Sequence, residues 1–329
     1  MTRILITGGA GFVGSHCAKF AAIAGHDCVV FDSLVNGHRD FVKWGPLVQG
    51  DIRDRDSLIA TIRKHRIEAV MHFAALAYVG QSVTDPASYY DVNVNGTRVL
   101  LDSLVATGVR QIVLSSSCAV YGQPDRIPIN EQTIARPINP YGFTKLVCER
   151  MIDDYASAHG LKSIKLRYFN ASGADPDGEI GEDHEPETHL IPLVLDAAMG
   201  RRPAISVFGS DYPTPDGTAV RDYIHVTDLA SAHVAAVARL AAGGDSLALN
   251  LGTGTGVSVA EILAAAGNVT GLKIPAEYEQ RRAGDPAQLV ADAGLAGELL
   301  DWSPRRSDVE TILADAWKWH RQRFNSRSA

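Results

Sequence analysis

The chain has 329 residues, 46% of them apolar and 21% charged, which is the balance of a globular protein with a sizeable core. Its net charge of -7 argues against a general nucleic-acid-binding surface. No apolar run approaches membrane-spanning length, and a strand-like run begins almost at once, so we expect neither membrane insertion nor a signal peptide. Four scattered cysteines without a C-x-x-C pair indicate free thiols, hence a cytoplasmic protein.

The sequence T-G-G-A-G-F-V-G (residues 7–14) lies between a strand-like apolar run and a helical pattern. Its glycines fit the G-x-G-x-x-G spacing of a dinucleotide-binding turn, where a Cβ would block the turn, the pyrophosphate or the helix packing. The helix N-terminus then offers N–H groups and partial positive charge to a phosphate. Asp32 ends the next apolar run, where it can bind the adenosine ribose. No Arg or Lys follows it until Arg39, which favours NAD over NADP.

The first half of the chain alternates strand-like and helix-like segments. The strand-like segments are 47–50, 68–73, 110–115 and 164–169, and the helix-like ones are 54–65, 86–107 and 140–159. This alternation predicts an α/β fold with a Rossmann-type doubly wound parallel sheet, whose ligands bind at the carboxyl edge. We expect residues 1–170 to form the NAD-binding domain. Residues 171–329 would form mainly a smaller C-terminal α/β substrate domain, with some segments returning to the first domain.

Residues 171–188 are rich in Gly, Pro, Asp and Glu, which predicts a long loop. His184 and His189 flank Glu185 and Glu187 there, and such residues can bind a metal. Because the segment is irregular and has no ligand-pair spacing, we expect no metal site.

Tyr141 and Lys145 form a Y-x-x-x-K pattern at the start of a predicted helix, where residues four apart share a face. An unperturbed tyrosine has a pKa of about 10, too high for a base at neutral pH. We expect the ammonium group, the helix dipole and the nicotinamide charge to lower the pKa of Tyr141. Upstream, Ser117 ends a strand-like run, where its hydroxyl can hold the substrate oxygen. Taken alone, the Tyr141–Lys145 pattern could be two neighbouring side chains on a surface helix. Taken alone, Ser117 could be a residue that caps the end of a strand.

The chain has a glycine-rich turn, then Asp32, then Ser117 and then the Y-x-x-x-K pattern. Features in this order resemble those of the extended short-chain dehydrogenase/reductase family, and within it those of the UDP-glucose 4-epimerases. Matching stretches cover nearly the whole chain and include H-F-A-A-L-A-Y-V-G-Q-S (72–82), N-V-N-G-T (93–97), S-S-S-C-A-V-Y-G (115–122), N-P-Y-G-F-T-K (139–145) and L-R-Y-F-N (166–170). The most specific are the stretch from F-G-S-D-Y-P to V-T-D-L-A (208–230) and R-R-A-G-D (281–285), because they belong to the sugar-nucleotide part.

The resemblance implies three sets of site residues. The catalytic set is Tyr141, Lys145 and Ser117. The NAD-binding set is Gly8, Gly11, Phe12, Val13, Gly14, Asp32, Asn36, Asp51, Ile52, Phe73, Ala74, Ala75, Asn95, Ser115, Tyr141, Lys145 and Tyr168. The substrate-binding set is Ser117, Tyr141, Asn170, His189, Leu190, Phe208, Arg221, Arg282 and Asp285. The two arginines also have a physical rationale, since guanidinium groups bind a diphosphate bidentately.

Three positions depart from the pattern of the family. Ala77 stands where many members carry a lysine, so one polar cofactor contact is missing. His189 stands where asparagine is often found, and Leu289 stands where some members carry a tyrosine beside the sugar ring. A smaller side chain at Leu289 would admit a substituent such as an N-acetyl group.

The resemblance implies NAD-dependent epimerisation at C4 of a UDP-hexose, interconverting UDP-glucose and UDP-galactose through a 4-keto sugar. Epimerisation of a UDP-N-acetylhexosamine or a UDP-pentose stays open, and a non-catalytic NAD-sensing protein is the alternative from another class. Dehydration ranks low, because Cys118 rather than an acid follows Ser117. The resemblance also implies a homodimer through the helices at 86–107 and 141–159.

Overall fold

The computed structural model describes residues 1–282 and 284–325 of the chain. Ala283, in the R-R-A-G-D stretch, lies outside the described residues. Within the described ranges, no helix is both long enough and apolar enough to span a membrane.

Strands and helices alternate over most of the described chain. The strands are β1 (Arg3–Thr7), β2 (Asp27–Asp32), β3 (Leu47–Gln49), β4 (Ala69–His72), β5 (Gln111–Ser117), β6 (Lys162–Tyr168), β7 (Asn170–Ser172), β8 (Ile205–Phe208), β9 (Val220–Arg221), β10 (Tyr223–His225), β11 (Leu247–Leu251), β12 (Val257–Ser258), β13 (Ala276–Glu279) and β14 (Gln288–Leu289). The helices are α1 (Phe12–Ile23), α2 (Arg55–His65), α3 (Val79–Thr84), α4 (Pro86–Tyr89), α5 (Gly96–Thr107), α6 (Pro140–His159), α7 (Leu190–Ala198), α8 (Val226–Ala241), α9 (Val259–Thr270), α10 (Gly294–Leu300) and α11 (Val309–Asn325).

Seven parallel strands form the central sheet in the order β3-β2-β1-β4-β5-β6-β11. The strand order reverses between β1 and β4, and the carboxyl ends of those two strands flank the usual dinucleotide crevice. The α/β doubly wound fold predicted from the sequence is confirmed. Strands buried on both faces are rich in Val, Ile and Leu, because helices cover each side of the sheet.

The core on one face of the sheet includes residues from both ends of the chain. Leu229 and Val237 of α8, and Leu249 of β11, pack in the same buried cluster as Ile6 and Met71 of the first strands. Strand β11 is an edge strand of the central sheet. The chain therefore leaves the sheet after β6 and returns to it through α8 and β11.

The segment predicted as one long helix over 86–107 is helical throughout but not uniform. A π-helical turn over Tyr90–Asn95 separates α4 from α5. Asn93, in this turn, is buried. Its side-chain amide accepts a hydrogen bond from the Leu76 nitrogen and donates one to the Leu76 carbonyl. A π turn inserts one residue into a helix and is common at functional sites. Here the tertiary hydrogen bonds of Asn93 account for the interruption, which the apolar periodicity does not reveal.

Short strands and helices make up the rest of the structure. They form a parallel pair β10-β7, a three-stranded sheet β12-β9-β14 and a parallel pair β13-β8. Helices α7, α9 and α11 pack around a separate buried cluster that includes Val194, Ile262 and Leu313. Strand β7 begins at Asn170, just after β6 ends at Tyr168, so the β10-β7 pair starts beyond the carboxyl edge of the central sheet.

Candidate active site

The glycine-rich turn between β1 and α1 lies against the end of β4. Gly8 has φ +74°, and a Cβ there would lie 2.5 Å from the backbone nitrogen of Ala74. A Cβ on Gly14 would lie 2.3 Å from the carbonyl oxygen of Gly8. Gly11 is the N-cap of α1, and no side chain of the described residues caps it. The first N–H groups of α1, at Phe12 and Val13, are therefore available to a phosphate, so the turn fits a dinucleotide.

Asp32 ends β2 beside this turn and is held by backbone groups. One carboxylate oxygen accepts from the Ala10 nitrogen at 2.9 Å and the other from the Leu34 nitrogen at 2.8 Å. Burial raises the pKa of Asp32, and the two N–H donors oppose that rise. Each oxygen keeps a lone pair for a ribose hydroxyl. Asn36 lies exposed in the following loop.

Asp51 and Ile52 follow β3 at the same edge. Both oxygens of Asp51 accept hydrogen bonds from Arg53, which lowers the pKa of this carboxyl. Arg53 also pairs with Asp91 from the π turn. Ile52 is buried beneath Gly96. These ion pairs and the contact between Ile52 and Gly96 therefore join the end of β3 to the π turn and to the start of α5. This is the place predicted to bind adenine.

The residues after β4 form the opposite wall of the crevice. The backbone nitrogens of Phe73 and Ala74 both donate to the Thr7 carbonyl, which continues the β1–β4 ladder beyond the strands. Ala75 is half-buried beside them. The amide of Asn95 contacts Asp91 and Arg98, so its assignment to NAD stays a prediction.

Asn93 is a positioning residue that the sequence analysis missed. Besides holding Leu76, its amide donates to the Thr144 hydroxyl at 3.1 Å. It thereby joins the wall after β4 to α6, the helix that carries the Y-x-x-x-K pattern. The only signal in the sequence is its place in the N-V-N-G-T stretch.

Tyr141 and Lys145 lie in the first turns of α6. Asn139 caps this helix by accepting from the Gly142 nitrogen at 2.8 Å, and Pro140 occupies its first turn. The Lys145 ammonium lies 5.9 Å from the centroid of the Tyr141 ring and donates to the Ser115 carbonyl at 2.8 Å. Burial lowers the pKa of Lys145.

Serine and tyrosine hydroxyls meet at the ends of β5 and β6. Ser117 pairs in register with Tyr168, and the Tyr168 hydroxyl makes a short hydrogen bond to the Ser115 hydroxyl. The Ser117 oxygen accepts from the Ala119 nitrogen at 3.1 Å, and the Ser117 hydroxyl is near enough to that of Tyr141 to lower its pKa. The structure thus brings all three predicted catalytic residues together with Ser115 and Tyr168.

The pKa of Tyr141 differs from the expectation. Burial raises it to about 12, and the hydrogen bond to Ser117 only partly opposes this rise. Burial therefore outweighs the lowering expected from the Lys145 ammonium, which lies 5.9 Å from the ring centroid. The other expected cation, the nicotinamide ring, would lower the pKa of Tyr141 only when the cofactor is bound.

A buried ion pair holds the residue before Ser117 and was not predicted. Glu149 accepts from the Ser116 hydroxyl at 2.6 Å and from Arg167. Arg167 also donates to the Tyr121 hydroxyl at 2.9 Å, which in turn donates to Asn250. Arg167, near the end of the strand-like segment 164–169, is the residue that could have indicated this network.

The predicted diphosphate-binding residues form a second group around β8 and β9. The Arg282 guanidinium stacks over the Phe208 ring at 3.8 Å, and Arg221 forms a short ion pair with Asp285. Arg221 pairs in register with Leu289, whose side chain packs with Cys118 against one buried cluster. The group therefore reaches the residue next to Ser117.

Asn170 opens β7 just past the end of β6. His189 is the N-cap residue of α7, and Leu190 is the first residue of that helix. The His189 ring forms ion pairs with Glu182 and Glu187 at 3.0 and 2.8 Å. Burial favours the neutral imidazole, but the two carboxylates outweigh burial and raise the pKa of His189 to about 10.

A model of the NAD dependent epimerase/dehydratase family matches residues 4–252. The chain belongs to this family. Within it, the chain is 53% identical over 321 residues to a UDP-glucose 4-epimerase of Rhizobium meliloti (strain 1021), which covers 98% of each chain.

Two solved structures show the same similarity. The UDP-glucose 4-epimerase of Brucella ovis in complex with NAD has 54% identity and a TM-score of 0.95, and the match covers 96% of this chain and 98% of that one. The enzyme of Stenotrophomonas maltophila with bound NAD and formylated UDP-arabinopyranose has 43% identity and a TM-score of 0.96 over 100% of both chains.

Proposed function

We propose that this chain catalyses NAD-dependent epimerisation at C4 of UDP-hexoses and interconverts UDP-glucose and UDP-galactose. The observation that carries the proposal is the place of Ser117 at the end of β5, two strands along the sheet from β1 and its glycine turn, with the neighbouring Cys118 within electrostatic reach of Arg221. This arrangement supports a site in which a proton acceptor serves both a bound dinucleotide and a sugar diphosphate held by cations. The high identity to UDP-glucose 4-epimerases supports the same activity.

Tyr141 acts as the base in this mechanism. As phenolate it takes the proton of the C4 hydroxyl, while the Ser117 hydroxyl holds the same oxygen. When bound, NAD supplies the acceptor for the C4 hydride and returns it later. Tyr141 holds the proton while C4 is a ketone and gives it back to the C4 oxygen of the inverted sugar. Lys145 lies beneath the Tyr141 ring, where its ammonium favours the phenolate.

Arg221 and Arg282 hold the diphosphate throughout the cycle. Inversion requires that the keto sugar rotate while the nucleotide stays bound, so that the hydride returns to the opposite face. The stacking of Arg282 on Phe208 and the pairing of Arg221 with Asp285 orient both guanidinium groups before a substrate arrives. Pre-organised forks lose less conformational freedom on binding than free side chains.

Epimerisation of UDP-N-acetylhexosamines is the second candidate. It is favoured by Leu289, which is paired in register with Arg221 and packs, like Cys118, against the buried cluster around Val120. A leucine at this position leaves more room than a tyrosine beside the sugar.

We further propose that the enzyme is a cytoplasmic homodimer that serves galactose metabolism. Tyr90 at the start of the π turn and Phe143 on α6 are 43% and 45% exposed, and their rings lie 6.4 Å apart. Exposed aromatic side chains on adjacent helices are typical of protein–protein contacts. The cysteines are unpaired, as in a reducing compartment. Sedimentation velocity tests the dimer.

Product analysis tests the function directly. Purified protein is given UDP-galactose, UDP-N-acetylgalactosamine or UDP-arabinose without added NAD. We expect conversion of UDP-galactose to UDP-glucose, and the relative rates show whether the second candidate holds. The matched control is Tyr141→Phe, which should keep its bound NAD and lose conversion. Bound NAD without conversion of any of the three sugars would contradict the proposal and favour the NAD-sensing alternative.

A further inference from the structure

Four side chains with metal-ligand chemistry meet in the loop before α7. The carboxylate or imidazole atoms of Glu182, His184, Glu187 and His189 all lie within 4.8 Å of one another. From the sequence no metal is expected here, because the segment lacks regular ligand spacing. The folded loop supplies the arrangement that the sequence spacing does not, with two nitrogens and two oxygens around one point. Imidazole nitrogen and carboxylate oxygen are both zinc ligands.

Four of the distances between ligand atoms in this cluster lie near the edge length of a coordination tetrahedron. His189 Nδ1 lies 2.8 Å from an oxygen of Glu187 and 3.0 Å from one of Glu182. His184 Nδ1 lies 3.4 Å from Glu187 and 3.5 Å from Glu182. Metal–ligand bonds of about 2.0–2.1 Å in a tetrahedron place neighbouring ligand atoms about 3.3 Å apart. The observed separations lie on both sides of that length, so an ion fits with small side-chain shifts.

His184 provides an independent observation. Its Nδ1 atom is buried and makes no hydrogen bond with any described residue, although it faces two carboxylates. Its ring packs edge-on against Phe12 and Tyr78, at 6.5 and 5.9 Å between centroids. Buried polar atoms normally have a partner, and these aromatic contacts fix the nitrogen in its direction toward Glu182 and Glu187.

A second cluster of carboxylates in this fold binds the ammonium group of a lysine and serves as a comparison. Asp175, Asp177 and Glu179 also converge, but the Lys19 ammonium lies 2.7 to 2.9 Å from an oxygen of each. That cluster already contains its cation. In the histidine cluster the carboxylates raise the pKa of both imidazoles, so the cations held there are protons, which a divalent ion can displace from its ligands.

We propose that Glu182, His184, Glu187 and His189 form a binding site for one divalent transition-metal ion of the zinc type. The bound ion would fix the loop against Phe12 of the glycine turn and Tyr78 of the opposite wall. The inference goes beyond the proposed function, because none of the four ligands transfers the C4 hydrogen.

Metal titration of the full chain tests this site. Tag-free protein that retains its NAD is treated with EDTA, and Zn²⁺ is then added in competition with a chromophoric chelator. We expect one ion per chain and, with Co²⁺ as a second probe, the intense visible absorption of a tetrahedral site. His184→Gln and Glu187→Gln should each weaken zinc binding by at least about tenfold. Asp177→Asn, from the cluster filled by Lys19, and His159→Gln, on the surface of α6, should bind zinc as the wild type does.

Three outcomes would overturn the proposal. They are a stoichiometry well below one ion per chain, the pale spectrum of six-coordinate Co²⁺, and equal zinc affinity in the wild type and both ligand variants. Retained NAD in each variant shows that the fold is intact, and Glu187→Gln provides the decisive comparison where His184→Gln fails to fold. Because zinc binding is read without substrate, failure of this proposal leaves the proposed epimerase activity untouched.

Discussion

The two sides of the candidate active site are built in different ways. On the cofactor side, backbone meets backbone, and Gly8 lies so close to Ala74 that no Cβ fits between them. On the sugar-nucleotide side, long side chains from distant segments meet, as Arg282 meets Phe208 and Arg221 meets Asp285. A site made of backbone is intolerant of any added atom, whereas a site made of side chains loses its contacts one at a time. Substitutions should therefore produce distinct kinds of defect on the two sides.

The largest effect is expected where the two sides meet, at Ser117. Ser117→Ala removes the hydroxyl that holds the substrate oxygen and bonds with Tyr141, so kcat should fall by about 10²–10³-fold with NAD content unchanged. Steady-state kinetics and the NAD released on denaturation measure the two quantities. Ser157→Ala, exposed on the same helix as Tyr141, is the matched control and should keep full activity. A Ser117→Ala enzyme with near wild-type kcat would remove the serine from the mechanism.

The next effect tests the intolerance of the cofactor side. Gly14→Ala would place a Cβ 2.3 Å from the Gly8 carbonyl oxygen, and backbone shifts of this kind cost about 1–3 kcal/mol. We expect roughly 10–100-fold weaker NAD binding, measured as NAD per chain after gel filtration and by isothermal titration. Gly80→Ala is the control, because a Cβ at Gly80 would meet no described atom within 4 Å and the change favours helix α3. Normal NAD content in Gly14→Ala would show that the turn is not the pyrophosphate site.

A smaller and more selective defect is expected on the sugar-nucleotide side. Arg282→Ala removes one guanidinium fork and the stacking on Phe208, so KM for UDP-galactose should rise about tenfold. NAD content and thermal stability should stay at wild-type values, because the side chain lies at the surface of the site. Arg281→Ala is the neighbouring control, since Arg281 pairs with the exposed Asp211. An equal rise in KM for both variants would point to a general loss of positive charge.

The smallest effect concerns pH. Burial raises the pKa of Tyr141 to about 12, and the Ser117 hydrogen bond lowers it. A base works only when deprotonated, so kcat/KM must rise with pH until the pKa of Tyr141 in the loaded enzyme is passed. Removing the Ser117 hydroxyl takes away a lowering influence, and the acid limb of the residual activity should move to higher pH by about one unit. A limb that stays in place or moves to lower pH would show that another group controls it.

The cofactor side is built from backbone contacts and the sugar-nucleotide side from contacts between distant side chains. This difference explains which parts of the structure the sequence could predict. The glycine turn, Asp32 and the α6 helix from Pro140 to His159 follow from local patterns, and the structure has them where they were expected. The π turn was missed because the tertiary hydrogen bonds of Asn93 create it.

Side-chain pairs between distant segments were also missed. Lys19 and Asp175 are 156 positions apart, and no periodicity connects them. The histidine cluster lies within eight positions of chain, yet its convergence depends on an irregular loop that packs on Phe12 and Tyr78. The pKa of Tyr141 depends on burial, which the Y-x-x-x-K pattern does not encode.

The return of the chain to the central sheet through α8 and β11 has a consequence for protein engineering. A cut after Phe169 would remove the edge strand Leu247–Leu251 and the helix Val226–Ala241, whose side chains complete the core around Ile6 and Met71. The two halves are therefore not interchangeable cassettes. A chimera that borrows the specificity of a related enzyme should keep the returning segment with its original sheet, together with α10, whose Ala296 and Leu300 belong to the same core.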